Sequence, residues 1–326
     1  MKRLLFSILL SALCLIASAI DIKDINIRDP FILPVADEGV YYMYCTSTVA
    51  DSNGQPRGGV AAYKSKDLRN WDGPVQVCTI PDNNMLTGTI WAPEVHFYNG
   101  KYYLFATINS DIEWRKAEPD HPKYLFRGTQ IFHADSPEGP FEAFSPETHT
   151  PADWMALDGT LWVENGKPYM VFCHEWVQTD DGTMDVVALE DDLSAPKGSP
   201  TRLFNASAAP WAQPICNDRN NNQCYVTDGC FLYRTKTGKL LMIWSSFTNG
   251  NNYAIGIAES TTGSVLGPWR QQEQPLFMKN GGHGMIFKRL DGQLCVVLHQ
   301  PNSPGGAERA KIFEIDDLGT TLRLRN

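Results

Sequence analysis

One pattern of apolar and polar positions occurs five times along the chain. In each copy a short start motif leads into an apolar run, a turn containing Gly follows, and a second apolar run comes after the turn. Apolar runs joined by a Gly turn predict a β-hairpin. The five copies are RDPFILPVADEGVYYMYC, WAPEVHFYNGKYYLFAT, LDGTLWVENGKPYMVFC, TDGCFLYRTKTGKLLMIWS and GHGMIFKRLDGQLCVVLH, with turns at Gly39, Gly100, Gly166, Gly238 and Gly292.

A third apolar run follows most of these hairpins, and in three copies it leads through a polar turn to an aromatic residue that opens a fourth strand (Trp71, Phe141 and Trp269). Long amphipathic helical stretches do not occur in the sequence. Five consecutive units of three to four strands predict an all-β fold, a five-bladed β-propeller. An irregular β-sandwich or barrel is the alternative, but it gives no reason for five copies of one hairpin.

The first strand of each propeller blade lies beside the central channel, so equivalent start positions form a ring around one mouth. Aligned on their turns, the start motifs place Asp29, Ala92, Asp158, Asp228 and His283 at this position. Turn formation does not explain three Asp in one register, because converging carboxylates repel one another, which is typical of functional sites. Since hairpin strands are antiparallel, the second strands end at the same mouth. These ends carry Thr46, His174–Trp176, Ser245–Ser246 and His299–Gln300.

The N-terminus has the layout of a secretory signal peptide. Two basic residues precede an apolar run from Leu4 to Ile16, and the small residues ASA end the segment at Ala19. The run is too short to span a bilayer, which needs about 20 residues. We therefore expect residues 1–19 to be removed, residues 20–326 to form a single domain, and the mature protein to be secreted or periplasmic.

Charge restricts the partners. Removal of residues 1–19 takes away two of the 28 basic residues and none of the 37 acidic ones, so the formal net charge falls from −9 to −11. A surface this acidic argues against nucleic acid and anionic membranes as partners. Aromatic residues make up 11% of the chain, which suits stacking on sugars and a large core equally well. We expect a monomer.

Seven cysteines remain after the predicted cleavage. Cys45, Cys173 and Cys295 lie inside apolar runs, where a thiol acts as a small core hydrophobe. Cys216 and Cys224 flank the polar loop NDRNNNQ, and in an oxidising compartment they are candidates for a disulfide that closes this loop.

The ordered motifs resemble a known family. Arg-Asp-Pro, Trp-Ala-Pro-Glu, Leu-Asp-Gly-Thr-Leu, an Asp-Gly opening the fourth blade and a late Gly-His-Gly resemble the glycoside hydrolases of family 43, over nearly the whole chain from Ile25 to about Leu324. The resemblance implies a five-bladed propeller that cleaves α-L-arabinofuranosides or β-D-xylosides in plant-type polysaccharide or oligosaccharide, with inversion. It also implies that Asp29 is the general base and that Asp158 tunes the pKa of the general acid and orients it.

One motif departs from the family pattern. There a Glu in a Glu-Gly-Pro motif opens the fourth blade and serves as general acid, whereas this chain has Asp228, whose side chain is one methylene shorter. Two hypotheses remain open. In the first, Asp228 is the general acid and the substrate lies closer to it. In the second, Glu175 in CHEWVQ has taken the role of general acid. A charged residue directly after a core strand, between His174 and Trp176, favours Glu175.

Further candidates lie near the predicted mouth, where aromatic faces stack on pentoses and polar groups bind hydroxyls. His283, in GGHGM, is the candidate ligand of a Ca²⁺ or Na⁺ in the central channel, although the reaction requires no cofactor. The candidate substrate-binding residues are Trp91, Glu94, His96, Trp176, Trp211 and Ser246.

Two other functions compete. A non-catalytic sugar-binding propeller would explain the missing fourth-blade Glu. A related propeller group that acts on fructosides also carries Arg-Asp-Pro, but neither of its companion motifs, Asn-Asp-Pro and Glu-Cys, occurs in this chain. The insertion from Asp111 to Arg127 shapes the rim of the mouth. The pentose, the linkage and the choice between exo and endo action stay open.

Overall fold

Five antiparallel β-sheets account for most of the structure. The computed structural model describes residues 19–51, 53–117, 121–217 and 223–325. Nearly all of the predicted signal peptide (residues 1–18) lies outside this part of the chain, and the first described strand begins at Ile20. Neighbouring sheets pack around a common axis in chain order. The fold is thus the predicted five-bladed β-propeller.

Every blade is a meander whose strands pair in chain order, with the first strand innermost. Blade 1 adds β1 (Ile20–Asp21) at its outer edge to β2 (Phe31–Val35), β3 (Val40–Ala50), β4 (Pro56–Ser65) and β5 (Asn70–Thr79). Blade 2 contains β6 (Ile90–Tyr98), β7 (Lys101–Arg115), β8 (Tyr124–Ala134) and β9 (Glu142–Ala143). Blade 3 contains β10 (Ala156–Glu164), β11 (Lys167–His174), β12 (Thr183–Leu189) and β13 (Pro196–Asn205).

The short hairpin β14 (Cys216–Asn217) and β15 (Gln223–Cys224) separates blades 3 and 4. Blade 4 contains β16 (Asp228–Arg234), β17 (Leu240–Thr248), β18 (Asn252–Ser260) and β19 (Trp269–Gln271). Blade 5 contains β20 (Gly282–Lys288), β21 (Leu294–Gln300), β22 (Arg309–Asp317) and β23 (Leu322–Leu324).

Helical segments are short. The α-helix α1 (Trp176–Thr179) follows β11, and three 3₁₀ turns cover Ile22–Asp24, Ala206–Ala208 and Asn249–Asn251. Within the described ranges no helix has both the length and the apolar composition needed to cross a bilayer.

The hydrophobic core lies between the blades. Trp71 of blade 1 and Trp244 of blade 4 are fully buried there. Trp211, a candidate for sugar stacking, also belongs to this core: its ring packs 4.9 Å from that of Trp244 and covers Gly256, where a Cβ would lie 2.0 Å from the indole. The structure therefore does not bring Trp211 to the mouth.

Blades 1 and 5 are joined by the segment that precedes β2. The backbone N–H of Ile27 donates to the carbonyl of Glu308 (3.2 Å), and the Asn26 amide donates to the carbonyl of Gly306 (2.8 Å). These bonds close the ring, so that residues from the two ends of the chain meet at the axis.

Cys216 and Cys224 stand directly opposite each other in the β14–β15 hairpin. This is the pairing that a loop-closing disulfide requires, and the disulfide stays a prediction. Cys173 and Cys295 are buried and Cys45 is half-buried, as expected of thiols in a core.

Candidate active site

The inner strands begin at one mouth of the channel with a residue of positive φ. In blades 2 to 5 this residue opens a β-bulge between the first and second strands, and a left-handed first residue is the feature of the G1 type of bulge. The equivalent residues are Asp29 (φ 50°), Ala92 (43°), Asp158 (57°), Gly229 (46°) and His283 (49°). A non-Gly residue with positive φ is uncommon, so four of them in one repeated position define a ring fixed by the backbone.

Blade 4 differs by one residue from the alignment made on the sequence. Asp228 pairs with Ser245 immediately before the bulge, and Gly229 occupies the ring position that the sequence assigned to Asp228. A Cβ on Gly229 would lie 2.6 Å from Cγ of His283. Because the His283 ring fills that space, the blade 4 carboxylate enters the site from the preceding residue and at a different angle.

Most ring positions are supported by the preceding blade. A side chain from the end of the second strand lies against the backbone N–H of the next blade's ring residue. These pairs are Asp158 with Thr107 (N···Oγ1 2.8 Å), His283 with Ser245 (N···Oγ 2.8 Å) and Asp29 with His299 (N···Nδ1 3.3 Å). Blade 4 differs, because the equivalent residue of blade 3 is Cys173 and the Gly229 N–H donates to Asp158 Oδ2 instead (3.1 Å).

His283 stands at the centre of three carboxylates. Its Nδ1 lies 3.2 Å from Asp228 Oδ1, 3.3 Å from Asp29 Oδ1 and 3.8 Å from Asp158 Oδ2. We call these four residues the hub. Burial acts to lower the pKa of His283, but the three carboxylates outweigh it and raise the pKa well above the usual value. The hub therefore holds an imidazolium at neutral pH.

The hub is also the place where a cation was predicted. Atoms of Asp158, Asp228 and His283 all lie within 4.8 Å of one another. Ca²⁺ takes six to eight oxygen ligands, whereas here an imidazole nitrogen stands between the carboxylates, in the place of the ion. Three carboxyls around one imidazole suit an imidazolium and do not match a dedicated calcium site. The cation in the central channel stays an untested prediction.

Two hub carboxyls favour the anion. Burial acts to raise the pKa of Asp29, but the positive charge of His283 lowers it below the usual value. The pKa of Asp228 is lowered more strongly, because hydrogen bonds from Asp158, His283 and the Tyr253 hydroxyl outweigh its burial. Asp29 and Asp228 are therefore ionised at neutral pH.

Two other carboxyls favour the neutral acid. Burial and the negative charge of Asp228 raise the pKa of Asp158 well above its usual value. Burial also raises the pKa of Glu175, against the opposing charge of Arg127 and with a smaller contribution from Asp228. The charge that raises the pKa of Glu175 is thus that of Asp228, whereas the resemblance implied that Asp158 would do this. Pairs of carboxyls whose environments push their pKa values apart are typical of acid–base sites.

Glu175 directly follows β11 and precedes α1. Its side chain is 15% exposed, and Oε2 contacts Nη1 of Arg127. The guanidinium carbon of Arg127 lies 4.3 Å from the centre of the Trp91 ring, and Trp91 is 41% exposed. Glu175, Arg127 and Trp91 therefore form a continuous wall beside the hub.

A cavity of about 490 Å³ opens at this mouth. It brings together all four predicted catalytic carboxyls and two of the predicted stacking residues. The cavity is lined by Arg28, Asp29, Thr46, Trp91, Leu157, Asp158, Glu175, Trp176, Ile215, Val226, Thr227, Asp228, Phe247 and Tyr253. The mouth predicted from the repeat is therefore a pocket large enough for sugar units.

Three predicted substrate-binding residues do not line this cavity. Glu94 Oε2 and His96 Nε2 pair with each other at 2.9 Å, and the His96 ring packs edge-on against Phe31 at 5.2 Å. Glu94 and His96 lie two residues apart on β6 and therefore share a face of the strand. This face points into the wall of the channel. Ser246 is fully buried, and its hydroxyl has no hydrogen-bond partner among the described residues. The alternation along β17 directs its neighbour Ser245 to the hub instead.

Comparison with known proteins identifies the family of the chain. The sequence model of "Glycosyl hydrolases family 43" matches residues 22–317. The chain belongs to this family. A solved endo-arabinase from Bacteroides thetaiotaomicron is 37% identical with a TM-score of 0.79, and the alignment covers 92% of this chain and 98% of that one.

Two curated relatives are more distant from this family 43 chain. The "Alpha-L-arabinofuranosidase 43" of Humicola insolens is 23% identical over 65% of this chain and 43% of its own length. An "Extracellular exo-alpha-(1->5)-L-arabinofuranosidase" of Streptomyces avermitilis is 23% identical over 92% of this chain and 63% of its own length. The chain spans less than two thirds of either relative.

Membership of family 43 confirms the resemblance drawn from the start motifs and favours it over the fructoside-acting group. Sequence reasoning did not assign roles to Arg127, Tyr253 and His299. His299 Nδ1 lies 3.0 Å from Asp29 Oδ1, and its position at the end of a second strand was a usable signal. Tyr253 and Arg127 lie on β18 and β8, outside the repeated start motifs, and no sequence pattern points to them.

Proposed function

We propose that this family 43 protein hydrolyses α-L-arabinofuranosyl linkages in arabinan-type polysaccharide or oligosaccharide, with inversion at the anomeric carbon. One observation carries the proposal: a single cavity brings together two carboxyl groups in opposite environments, Asp29, whose pKa is lowered by the charge of His283, and the largely buried Glu175, whose pKa is raised by burial. Inverting hydrolysis requires this pair, a base for water and an acid for the leaving oxygen.

Asp29 is the proposed general base. Its Oδ1 lies within 3.3 Å of His283 Nδ1 and 3.0 Å of His299 Nδ1. The charge of His283 stabilises the carboxylate, and the two contacts fix its orientation, which leaves Oδ2 to accept a proton from water. As the water attacks the anomeric carbon, Asp29 takes that proton and the bond from this carbon to the leaving oxygen breaks.

Glu175 is the proposed general acid. It donates its proton to the leaving oxygen, so that the departing sugar leaves as an alcohol. Asp228 is the weaker candidate for this role, because its hydrogen bonds from Tyr253 and His283 stabilise the anion and an acid must carry a proton. In this assignment burial raises the pKa of Glu175 with a smaller contribution from the charge of Asp228, and Asp158 holds the blade 4 backbone through Gly229.

The choice of arabinofuranosyl over xylosyl linkages is supported by the relatives. The solved structure at 37% identity is named an endo-arabinase, and the two curated relatives carry arabinofuranosidase names. We also propose that the protein is exported, since residues 1–19 have signal-peptide character and the Streptomyces relative is named extracellular.

Product analysis tests the proposal. Purified protein is incubated with linear arabinan, arabino-oligosaccharides and the nitrophenyl glycosides of α-L-arabinofuranose and β-D-xylose, and the first product is observed by NMR before it mutarotates. We expect turnover of the arabinofuranosyl substrates with the β-anomer formed first. Formation of the α-anomer first contradicts inversion, and faster turnover of the xyloside contradicts the substrate class.

The non-catalytic alternative gives a different result in the same assay. A sugar-binding propeller binds arabino-oligosaccharides in calorimetry but releases no product from any of the substrates. The replacement of the family's fourth-blade Glu by Asp228 is the observation in its favour. The Asp29→Asn variant is the matched control, because it keeps the cavity shape and removes the base.

A further inference from the structure

Arg127 makes three contacts with its head group, all at the cavity wall. The residue lies on β8 and is 8% exposed. Its Nη1 contacts Glu175 Oε2, and its Nε contacts Asn109 Oδ1. The face of the guanidinium stacks on Trp91, with 4.3 Å between the guanidinium carbon and the ring centre. A planar fork that pairs with a carboxylate while it stacks on an aromatic ring is a geometry that Arg provides and Lys does not.

The backbone of Arg127 also reaches the segment that carries Glu175. Arg127 forms an isolated parallel bridge with Met155. The Met155 carbonyl accepts the backbone N–H of Glu175 (2.9 Å), and the Met155 N–H donates to Oε1 of Gln178 in α1 (2.6 Å). Blade 2 therefore holds the end of β11 and the start of α1 through both the backbone and the side chain of Arg127.

Arg127 lies at the base of an extension of blade 2. Strands β7 and β8 continue beyond the regular sheet, and their register shifts after the Asn109–Arg127 pair. The extension packs against α1, because Tyr124, Met155 and Val177 form one buried cluster with Trp114 and Trp176 around it. The extension is thus placed against the segment that follows the predicted acid in the next blade.

We propose that Arg127 is a positioning residue that holds the Glu175 carboxyl and the Trp91 ring together as one leaving-group platform. The inference rests on the proposed function. We define the platform as Trp91, Arg127 and Glu175. With Oε2 of Glu175 held by Arg127, the proton is left to Oε1, so a single oxygen is presented to the leaving group. Trp91, exposed on the cavity side, offers the next sugar a face to stack on.

A purely structural ion pair would predict a different outcome on mutation. It would change the stability of the fold but leave the pH dependence of the reaction and its dependence on the leaving group unaltered. The charged groups that face Glu175 are Arg127 from β8 and Asp228 from β16. Removal of Arg127 leaves burial and Asp228, and both of these raise the pKa of Glu175.

The experiment compares Arg127→Gln, Arg127→Lys and the control Arg115→Gln. Arg115 lies on the same extension and stacks on Tyr124 at 4.0 Å, whereas Arg127 is the residue that pairs with Glu175 and stacks on Trp91. For each variant we measure the melting temperature and the pH profile of kcat/KM on an arabino-oligosaccharide and on an aryl arabinofuranoside.

We expect Arg127→Gln to lower kcat/KM on the oligosaccharide by about 10- to 100-fold, since a misplaced acid costs this much. The alkaline limb of the kcat/KM profile of this variant moves to higher pH, because an acid of higher pKa stays protonated up to a higher pH. The aryl substrate, which needs little protonation, loses less. Arg127→Lys keeps the alkaline limb near that of the wild type but shares the loss in rate, and Arg115→Gln matches the wild type.

Two results overturn the inference while the proposed function stands: an active Arg127→Gln with an unmoved alkaline limb and equal losses on both substrates, or the failure of both Arg127 variants to fold. Absence of turnover by the wild-type protein on every substrate is a separate result, which removes the proposed function and this inference with it.

Discussion

The hub and the platform face the same cavity, but the chain builds them in different ways. The hub consists of one position repeated around the ring, and its residues come from the starts of blades 1, 3, 4 and 5. The platform comes from the start of β6, from β8 and from the residue that follows β11, in blades 2 and 3. The hub thus depends on closure of the whole wheel, and the platform on contacts between two adjacent blades.

Their electrostatics differ as well. At the hub one imidazolium is shared among three carboxyls, so Asp29 and Asp228 are kept as anions. At the platform burial outweighs a single Arg, and Glu175 favours the neutral form. In the proposed mechanism the base therefore belongs to the hub, which His283 holds charged, and the acid belongs to the platform, where burial dominates.

Loss of the hub's base should have the largest effect. Asp29→Asn removes the group that takes the proton from water, and we expect kcat to fall by about 10³- to 10⁴-fold. The loss is the same on oligosaccharide and aryl substrates, because both reactions need an activated water. Steady-state kinetics on the two substrates checks this, and a variant that keeps a tenth of the wild-type rate contradicts the assignment.

The second-largest effect is expected from overpacking of the hub. Gly229→Ala introduces a Cβ that would lie 2.6 Å from Cγ of His283, at a φ of +46°. We expect it to destabilise the fold by about 1–3 kcal/mol in urea unfolding. Gly305→Ala is the control, since its nearest neighbour is 3.8 Å away; equal stability of the two variants would contradict the packing described for the hub.

The charge of the hub can be tested through pH. Asp29 acts as a base only when ionised, so its pKa sets the acidic limb of the kcat/KM profile. His283→Asn removes the cation that lowers this pKa, and the acidic limb should therefore move to higher pH. His133→Asn, a change on β8 away from the cavity, should leave the limb in place. A limb that stays fixed in His283→Asn shows that His283 is not charged.

The smallest effect is expected at the rim beside the platform. Trp176 lines the cavity, and its removal in Trp176→Ala should raise KM for arabino-oligosaccharides roughly fivefold, from the loss of about 1 kcal/mol of stacking. The value of kcat should change little, because Trp176 does not touch the reacting groups. Titration of the substrate checks this, and an unaltered KM would show that sugars do not stack there.

The repeat explains why so much of the hub was predictable. The five copies of one hairpin pattern predicted the number of blades, the ring of residues and the mouth that they share. Asp29, Asp158 and His283 occupy the predicted positions. The alignment was wrong by one residue at Asp228, because the bulge in blade 4 places Gly229 in the ring. The register of blade 4 is decided only by the close approach of His283 to Gly229, which is a contact between blades.

The platform was less accessible to sequence reasoning for the same reason. Glu175 was noticed because a charge directly after a core strand is unusual, but its partner Arg127 lies 48 residues earlier on the third strand of another blade, outside the start motifs. Glu94, His96 and Ser246 were expected at the mouth and lie elsewhere, because strand alternation and the bulges direct side chains in ways that spacing alone does not reveal.

The leaving-group dependence of Glu175→Gln tests the central claim most directly. Rates are measured on an arabino-oligosaccharide and on an aryl arabinofuranoside with an activated phenolate, in parallel with Asp228→Asn. The account predicts that Glu175→Gln loses about 10²- to 10⁴-fold on the oligosaccharide and little on the aryl substrate, and that Asp228→Asn shows no such selectivity. Selectivity in Asp228→Asn together with equal losses in Glu175→Gln would contradict it.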